Sequence, residues 1–191
     1  MKRIFLSLFL LTSVVGAAWA QASVSLGLKA GLNFANVDTS TPGAAYNSRT
    51  GYHAGAFVNI KLTKLAIQPE VIYSVQGSDV SSATSSQALE LAYVNIPVLV
   101  KFYLIGGLNL QGGPQFGFLA SATQGGTDIK DFVKGTDTSI ALGAGFDISK
   151  FVIDARYNLG LSEINDTAGS SAAKNQVIQV SVGFKLFDFG N

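Results

Sequence analysis

The side chains able to do acid–base chemistry are few: one histidine, His53, in 191 residues of which 13% are charged, and no cysteine. A histidine acts as a general base only with a nucleophile and an orienting partner within hydrogen-bond reach. No spacing in the sequence designates that nucleophile, because serine is abundant in the connecting segments. His53 is therefore expected to be a hydrogen-bonded structural residue, and a rim-located lipid hydrolase is the weaker alternative. Without cysteine there are no disulfides, thiolate metal sites or lipid-modified N-terminal cysteine. Asp128 and Asp131 lack the ligand density and glycine of a calcium loop. No metal, cofactor or catalytic residue is expected. Asn165-Asp166-Thr167 matches a glycosylation sequon, a pattern short enough to recur by chance.

A second chemical candidate is a set of charged residues: Lys29, Lys61, Lys101, Arg156 and Lys185 against Glu70, Asp147 and Asp154. Each falls on the polar side of a segment that alternates apolar and polar residues. Gathered in a low-dielectric space, such groups must pair or meet trapped water, because an unpaired buried charge is very costly. Ion pairing as structural filling is the expected chemistry, and a narrow polar conduit is the alternative.

The elements that must gather these residues are strands. Period-two alternation, the repeat of a strand with differently treated faces, dominates eight segments: 25–37, 51–62, 65–77, 91–104, 107–121, 137–148, 151–164 and 176–187. In the first, Leu26, Leu28, Ala30, Leu32 and Phe34 oppose Ser25, Gly27, Lys29, Gly31 and Asn33. In the second only Phe57 breaks the polar set. Ile67, Val71, Tyr73 and Val75 oppose Gln68, Glu70, Ser74 and Gln76 in the third; Leu108, Leu110, Phe116 and Phe118 oppose Asn109, Gln111, Gln115 and Ser121 in the fifth. The seventh sets Ile153, Ala155 and Tyr157 against Asp154, Arg156 and Asn158. Glycines spaced by four, such as Gly27 and Gly31, share a face and are expected to relieve crowding inside a barrel. Pro97 and Pro114 lie within strands, where a missing donor predicts local bulges.

Connections alternate in length. Thr63-Lys64, Ile105-Gly106 and Ser149-Lys150 are tight turns, whereas 38–50, 78–90, 122–136 and 165–175 are longer and rich in Ser, Thr, Gly and Ala. Short turns on one side and long loops on the other characterise transmembrane barrels. A soluble lipocalin-like barrel also alternates, with its apolar face inward. Two features favour the membrane orientation: the polar face is rich in glycine and poor in charge, and the apolar face carries aromatics sorted by depth. Phe34, Tyr52, Tyr73, Phe118 and Tyr157 fall toward the long loops, and Phe102, Phe146, Phe151 and Phe184 toward the short turns, as two interfacial girdles would. Asp128 to Gly135, with Ile129, Phe132 and Val133 at helical spacing, predicts one or two helical turns in the third long loop, either a recognition element or a lid.

The N-terminus carries an address. Lys2 and Arg3, an apolar run from Ile4 to Val15, and Ala18-Trp19-Ala20 before Gln21 form a signal-peptide pattern, with residues 1–20 removed by cleavage between Ala20 and Gln21. The apolar run is shorter than the roughly 20 residues needed to span as a helix. Without Lys2 and Arg3 the remaining charge is 11 basic against 12 acidic residues, or −1, in no block that could neutralise nucleic-acid phosphates. No nucleic-acid partner is expected.

Several stretches resemble the PorT-like outer-membrane β-barrel family of Bacteroidetes: Gly31-Leu32-Asn33-Phe34, Gln68-Pro69-Glu70-Val71-Ile72-Tyr73-Ser74, Asn95-Ile96-Pro97-Val98-Leu99-Val100-Lys101, Asp128-Ile129-Lys130-Asp131, and Ile153 to Leu161. Their order extends across essentially the whole chain after the leader. The resemblance implies an integral outer-membrane barrel without known catalytic residues, and a family member associated with protein secretion. The expected architecture is an all-β, eight-stranded antiparallel up-and-down transmembrane β-barrel in residues 21–191, with the last strand ending at 187. Both termini would be periplasmic. Outer-membrane lipid would surround it, and a protein or surface ligand would meet loops 38–50, 78–90, 122–136 and 165–175. A structural or surface-interaction role is the leading expectation; a narrow channel or secretion accessory is the alternative.

Overall fold

The computed structural model describes residues 22–39, 45–82, 85–130, 134–163 and 173–190. The strands are β1 (Ala22–Thr39), β2 (Ala45–Leu62), β3 (Leu65–Ser82), β4 (Ser85–Tyr103), β5 (Leu108–Gln124), β6 (Thr127–Asp128), β7 (Thr136–Ile148), β8 (Phe151–Glu163) and β9 (Ala173–Phe189). The sheet order β4-β3-β2-β1-β9-β8-β7-β5 closes through β4–β5 pairing, and all pairs are antiparallel. Eight staves therefore form a closed barrel, while the two-residue β6 merely folds back on β5. Closure leaves no edge strand, so the ladder satisfies backbone polar groups without water. The expected leader, residues 1–20, lies outside the described residues.

The alternation sorts side chains as the period requires. Leu28, Leu32, Val71, Val100, Leu142, Ile153 and Val182 point outward and are about half exposed, while Lys29, Asn33, Glu70, Lys101, Asp154 and Arg156 are buried inside. A soluble protein rarely exposes so continuous an apolar belt. In lipid the same belt is solvated by acyl chains. Phe151 and Phe184, neighbours in the β8–β9 register, meet edge to face at 5.2 Å between ring centroids. Phe57 does point inward, where it lies opposite Gly27; a Cβ on Gly27 would stand 2.4 Å from its Cζ.

Several expectations change. Segments 38–50 and 78–90, expected as loops, are largely strand: β1 runs to Thr39, β2 starts at Ala45, and β3 pairs β4 up to Ser82↔Ser85. An 18-residue strand tilted by about 40° reaches roughly 45 Å along the barrel axis, well beyond a hydrophobic band of about 25 Å. A bilayer imposes alternation only within that band, so it does not mark the strand ends. Val75 is buried rather than outward, and Ser121 is exposed rather than inward, each close to a shift in register, at Ser48/His53 and Ala92/Tyr93. Pro97 and Pro114 cause no bulge: Pro97 pairs with Gln115 and Pro114 with Ile140, and no register shift occurs there. A missing donor deletes one ladder bond without moving its neighbours. The turn expected at Ile105-Gly106 widens to 104–107, with Gly106 and Gly107 both at positive φ. Asp128 pairs in β6, its Oδ1 accepts from the Lys130 backbone N–H at 2.9 Å, and Lys130 itself is in a 3-10 turn. Residues 131–133 and 164–172, which hold the rest of the expected helical stretch and most of 165–175, lie outside the described residues.

Candidate functional site

The lumen holds three polar tiers stacked along the barrel. In the middle tier, Lys29 on β1, Glu70 on β3, and Asp154 and Arg156 on β8 converge. Arg156 grips Glu70 as a fork, Nη1 donating to Oε2 at 2.7 Å and Nη2 to Oε1 at 2.6 Å. The β3 and β8 staves are four apart by either route around the ring, so this bond spans the full diameter. Lys29 Nζ donates to Asp154 Oδ2 at 2.9 Å and stands 3.6 Å from Glu70 Oε2, and Arg156 Nε lies 2.9 Å from Asp154 Oδ1. Gln68 donates to Glu70 at 2.6 Å and Gln111 accepts from Arg156 at 3.3 Å. Two cations thus face two anions. Planar, bidentate geometry is where a guanidinium–carboxylate pair is strongest, and local neutrality is what a dry interior demands.

Small residues make room for these long side chains. Lys29 has Gly55 and Gly183 as its register partners on either side, and Arg156 has Gly143. A Cβ on Gly143 would approach Arg156 Cγ to 2.9 Å and the Ala155 carbonyl to 2.3 Å. Each large charge therefore occupies space that its neighbour on the next stave vacates.

Toward the long-loop end the second tier is neutral. His53 Nδ1 stands 2.7 Å from Asn33 Oδ1, and His53 Nε2 stands 2.8 Å from Ser181 Oγ. Asn33 Oδ1 also accepts from Gln179, and its amide nitrogen donates to Ser74 Oγ and the Val75 carbonyl. Those roles make Nδ1 the protonated ring nitrogen, so Nε2 accepts from Ser181. Gly31 lies between His53 on β2 and Ser181 on β9 in both registers, and its missing side chain lets the imidazole reach across β1. The order serine–histidine–amide has the connectivity of a hydrolytic relay. Ser181, however, is 1% exposed, and attack requires a substrate carbonyl about 3 Å from its oxygen. The trio ties β1, β2 and β9 together by hydrogen bonds. Above it, Leu91, Tyr93, Leu119 and Ala122 form an apolar cluster against which Ile129 packs.

The third tier is at the short-turn end. Asp147 on β7 lies 3.6 Å from Lys101 Nζ and 3.4 Å from Lys185 Nζ, and accepts from Tyr103 Oη at 3.0 Å and Asn109 Nδ2 at 3.1 Å. Lys61 Nζ rests 4.1 Å above the Tyr103 ring. Lys101 Nζ and Gln111 Nε2 are buried donors without a hydrogen-bond acceptor among the described residues.

The eight charged residues named from sequence thus separate into a central quartet (Lys29, Glu70, Asp154, Arg156) and a lower group (Lys61, Lys101, Asp147, Lys185). His53 belongs to neither. Sequence reasoning did not assign Asn33, Ser181, Gln68, Gln111 or Tyr103 to the site; the available signal was their inward phase on staves flanking the charged residues. Among the described residues no group of three or more His, Cys, Asp or Glu side chains is placed to hold a metal ion.

Residues 19–166 match the family model described as outer membrane protein beta-barrel domain. The fold is similar to that of Neisserial surface protein A, with a TM-score of 0.60 and 15% identity over 85% of this chain and 99% of that one. OprG from Pseudomonas aeruginosa gives a TM-score of 0.53 at 10% identity, covering 90% and 97%. Ail, the attachment invasion locus protein of Yersinia pestis, solved with the heparin analogue sucrose octasulfate, gives 0.50 at 18% identity, covering 88% and 99%. A comparison with curated proteins gives no match.

Proposed function

The chain belongs to the outer-membrane β-barrel domain family, and from that premise we propose that it is an occluded barrel whose work is done at its surface, not through its lumen. On this reading residues 1–20 are the export leader, both termini are periplasmic, and the long hairpins stand outside the cell. The PorT-like branch is proposed on the stretches at 31–34, 68–74, 95–101, 128–131 and 153–161. The observation that carries the reading is the Arg156–Glu70 fork, which crosses the lumen between opposite walls. Eight staves leave an interior just wide enough for side chains, and a diametric ion pair with its flanking amides fills it. The hairpin tips remain as the surface for a protein or other surface ligand.

Two measurements test this. In planar bilayers the protein is expected to show no stepwise conductance, and steps from the unaltered barrel would overturn the occluded reading. Co-purification from envelopes is expected to capture a partner that is lost when residues 122–136 are replaced by a short turn; an unchanged partner set would overturn the assignment of the third loop.

A further inference from the structure

The short-turn tier is charge-imbalanced where the central tier is not. Lys101 and Lys185 lie within 4 Å of Asp147 and Lys61 rests on the Tyr103 ring, so inside this tier three cations meet one carboxylate, a local balance of three minus one, or +2. The other carboxylate at this end, Asp188, accepts from Ser25 Oγ and is exposed. Lys101 is fully buried, yet its Nζ makes no hydrogen bond among the described residues. Lys101 and Gln111 are direct register partners on β4 and β5, so their inward side chains stand side by side. The Gln111 carbonyl is taken by Arg156 at 3.3 Å, and its Nε2 is left unpartnered among the described residues. Asn109 Oδ1, a buried acceptor that itself lacks a donor among the described residues, lies with its amide nitrogen against Gly145 on β7, 2.9 Å from where a Cβ there would stand. Two buried donors without acceptors, in a locally cationic space, demand an acceptor that also carries negative charge.

We propose that this end of the lumen binds one small inorganic anion of the halide class, held by Lys101 Nζ and Gln111 Nε2 and admitted past the partly exposed Lys185. The anion completes the charge balance that Asp147 alone does not. A water molecule would satisfy the donors but leave the charge uncompensated.

Bromide is the probe. Crystals of the folded barrel grown in sodium bromide are expected to show an anomalous peak within hydrogen-bond distance of Lys101 Nζ. In detergent micelles the folded barrel is expected to broaden the bromide NMR line. Lys101→Met is expected to weaken that binding by about tenfold or more, and exposed Lys64→Met to leave it unchanged. Heat-dependent gel mobility verifies that each variant is folded. Should Lys101→Met fail to fold, Lys185→Gln serves instead, with a smaller loss expected. A crystal without the peak, or line broadening equal in the wild type and these folded variants, overturns the proposal.

Discussion

The central quartet and the short-turn tier are built from the same side-chain types and obey different rules. In the quartet two cations meet two carboxylates, both cations lie opposite glycines, and solvent is excluded. Three lysines share one carboxylate in the lower tier, and Lys185 keeps 15% of its side chain exposed. The difference shows where the barrel must be neutral by itself. A sealed interior has to balance its charges internally, whereas a tier at the mouth can draw its remaining counter-charge from solution.

Arg156→Leu is expected to break the comparison most severely, because it leaves Glu70 and Asp154 buried with one lysine between them. A loss of about 3–5 kcal/mol is expected, read by urea unfolding followed through gel mobility; the only tryptophan, Trp19, belongs to the expected leader. Glu70→Met with Arg156→Met should be more stable than Arg156→Leu alone. If it is not, charge balance is not what organises the quartet. Gly31→Val comes next: its Cβ would stand 2.0 Å from the Val180 carbonyl and 2.7 Å from His53 Cε1, and a cost of about 1–3 kcal/mol is expected from overpacking. Lys185→Gln, in the shared tier, should change stability by less than about 1 kcal/mol, and a loss equal to that of Arg156→Leu would erase the distinction between the tiers. Smallest and opposite in sign is Ser149→Gly. Ser149 holds φ at 54° in its turn, and glycine there should stabilise by about 0.5–1 kcal/mol in the same titration.

Much of this architecture was legible in the chain because a bilayer imposes period two on every stave that crosses it. The inward positions of Lys29, Glu70, Asp154 and Arg156, and even of Phe57, follow from phase alone. Which of them touch does not. Arg156 reaches Glu70 across 86 residues of sequence, and that meeting depends on the stagger accumulated around the whole ring. Val75 and Ser121 were misread because a shift in register changes which residues face inward without altering local composition. The strand ends beyond the apolar band escaped notice for the converse reason: no bilayer there imposes the alternation that identified the rest. The partners of His53 emerged only when β1, β2 and β9 were aligned around Gly31.

The diametric fork has a consequence for assembly. Glu70 and Arg156 can meet only after the last stave has docked on the first and the ring has shut. Until then each is free to remain hydrated. The pair is therefore expected to act as a late latch, absent from the rate-limiting barrier of closure and present in the finished barrel. Interactions of that kind slow the reverse reaction while leaving the forward one nearly untouched. Its expected contribution is persistence: a barrel lacking the fork closes at the usual rate and falls open sooner.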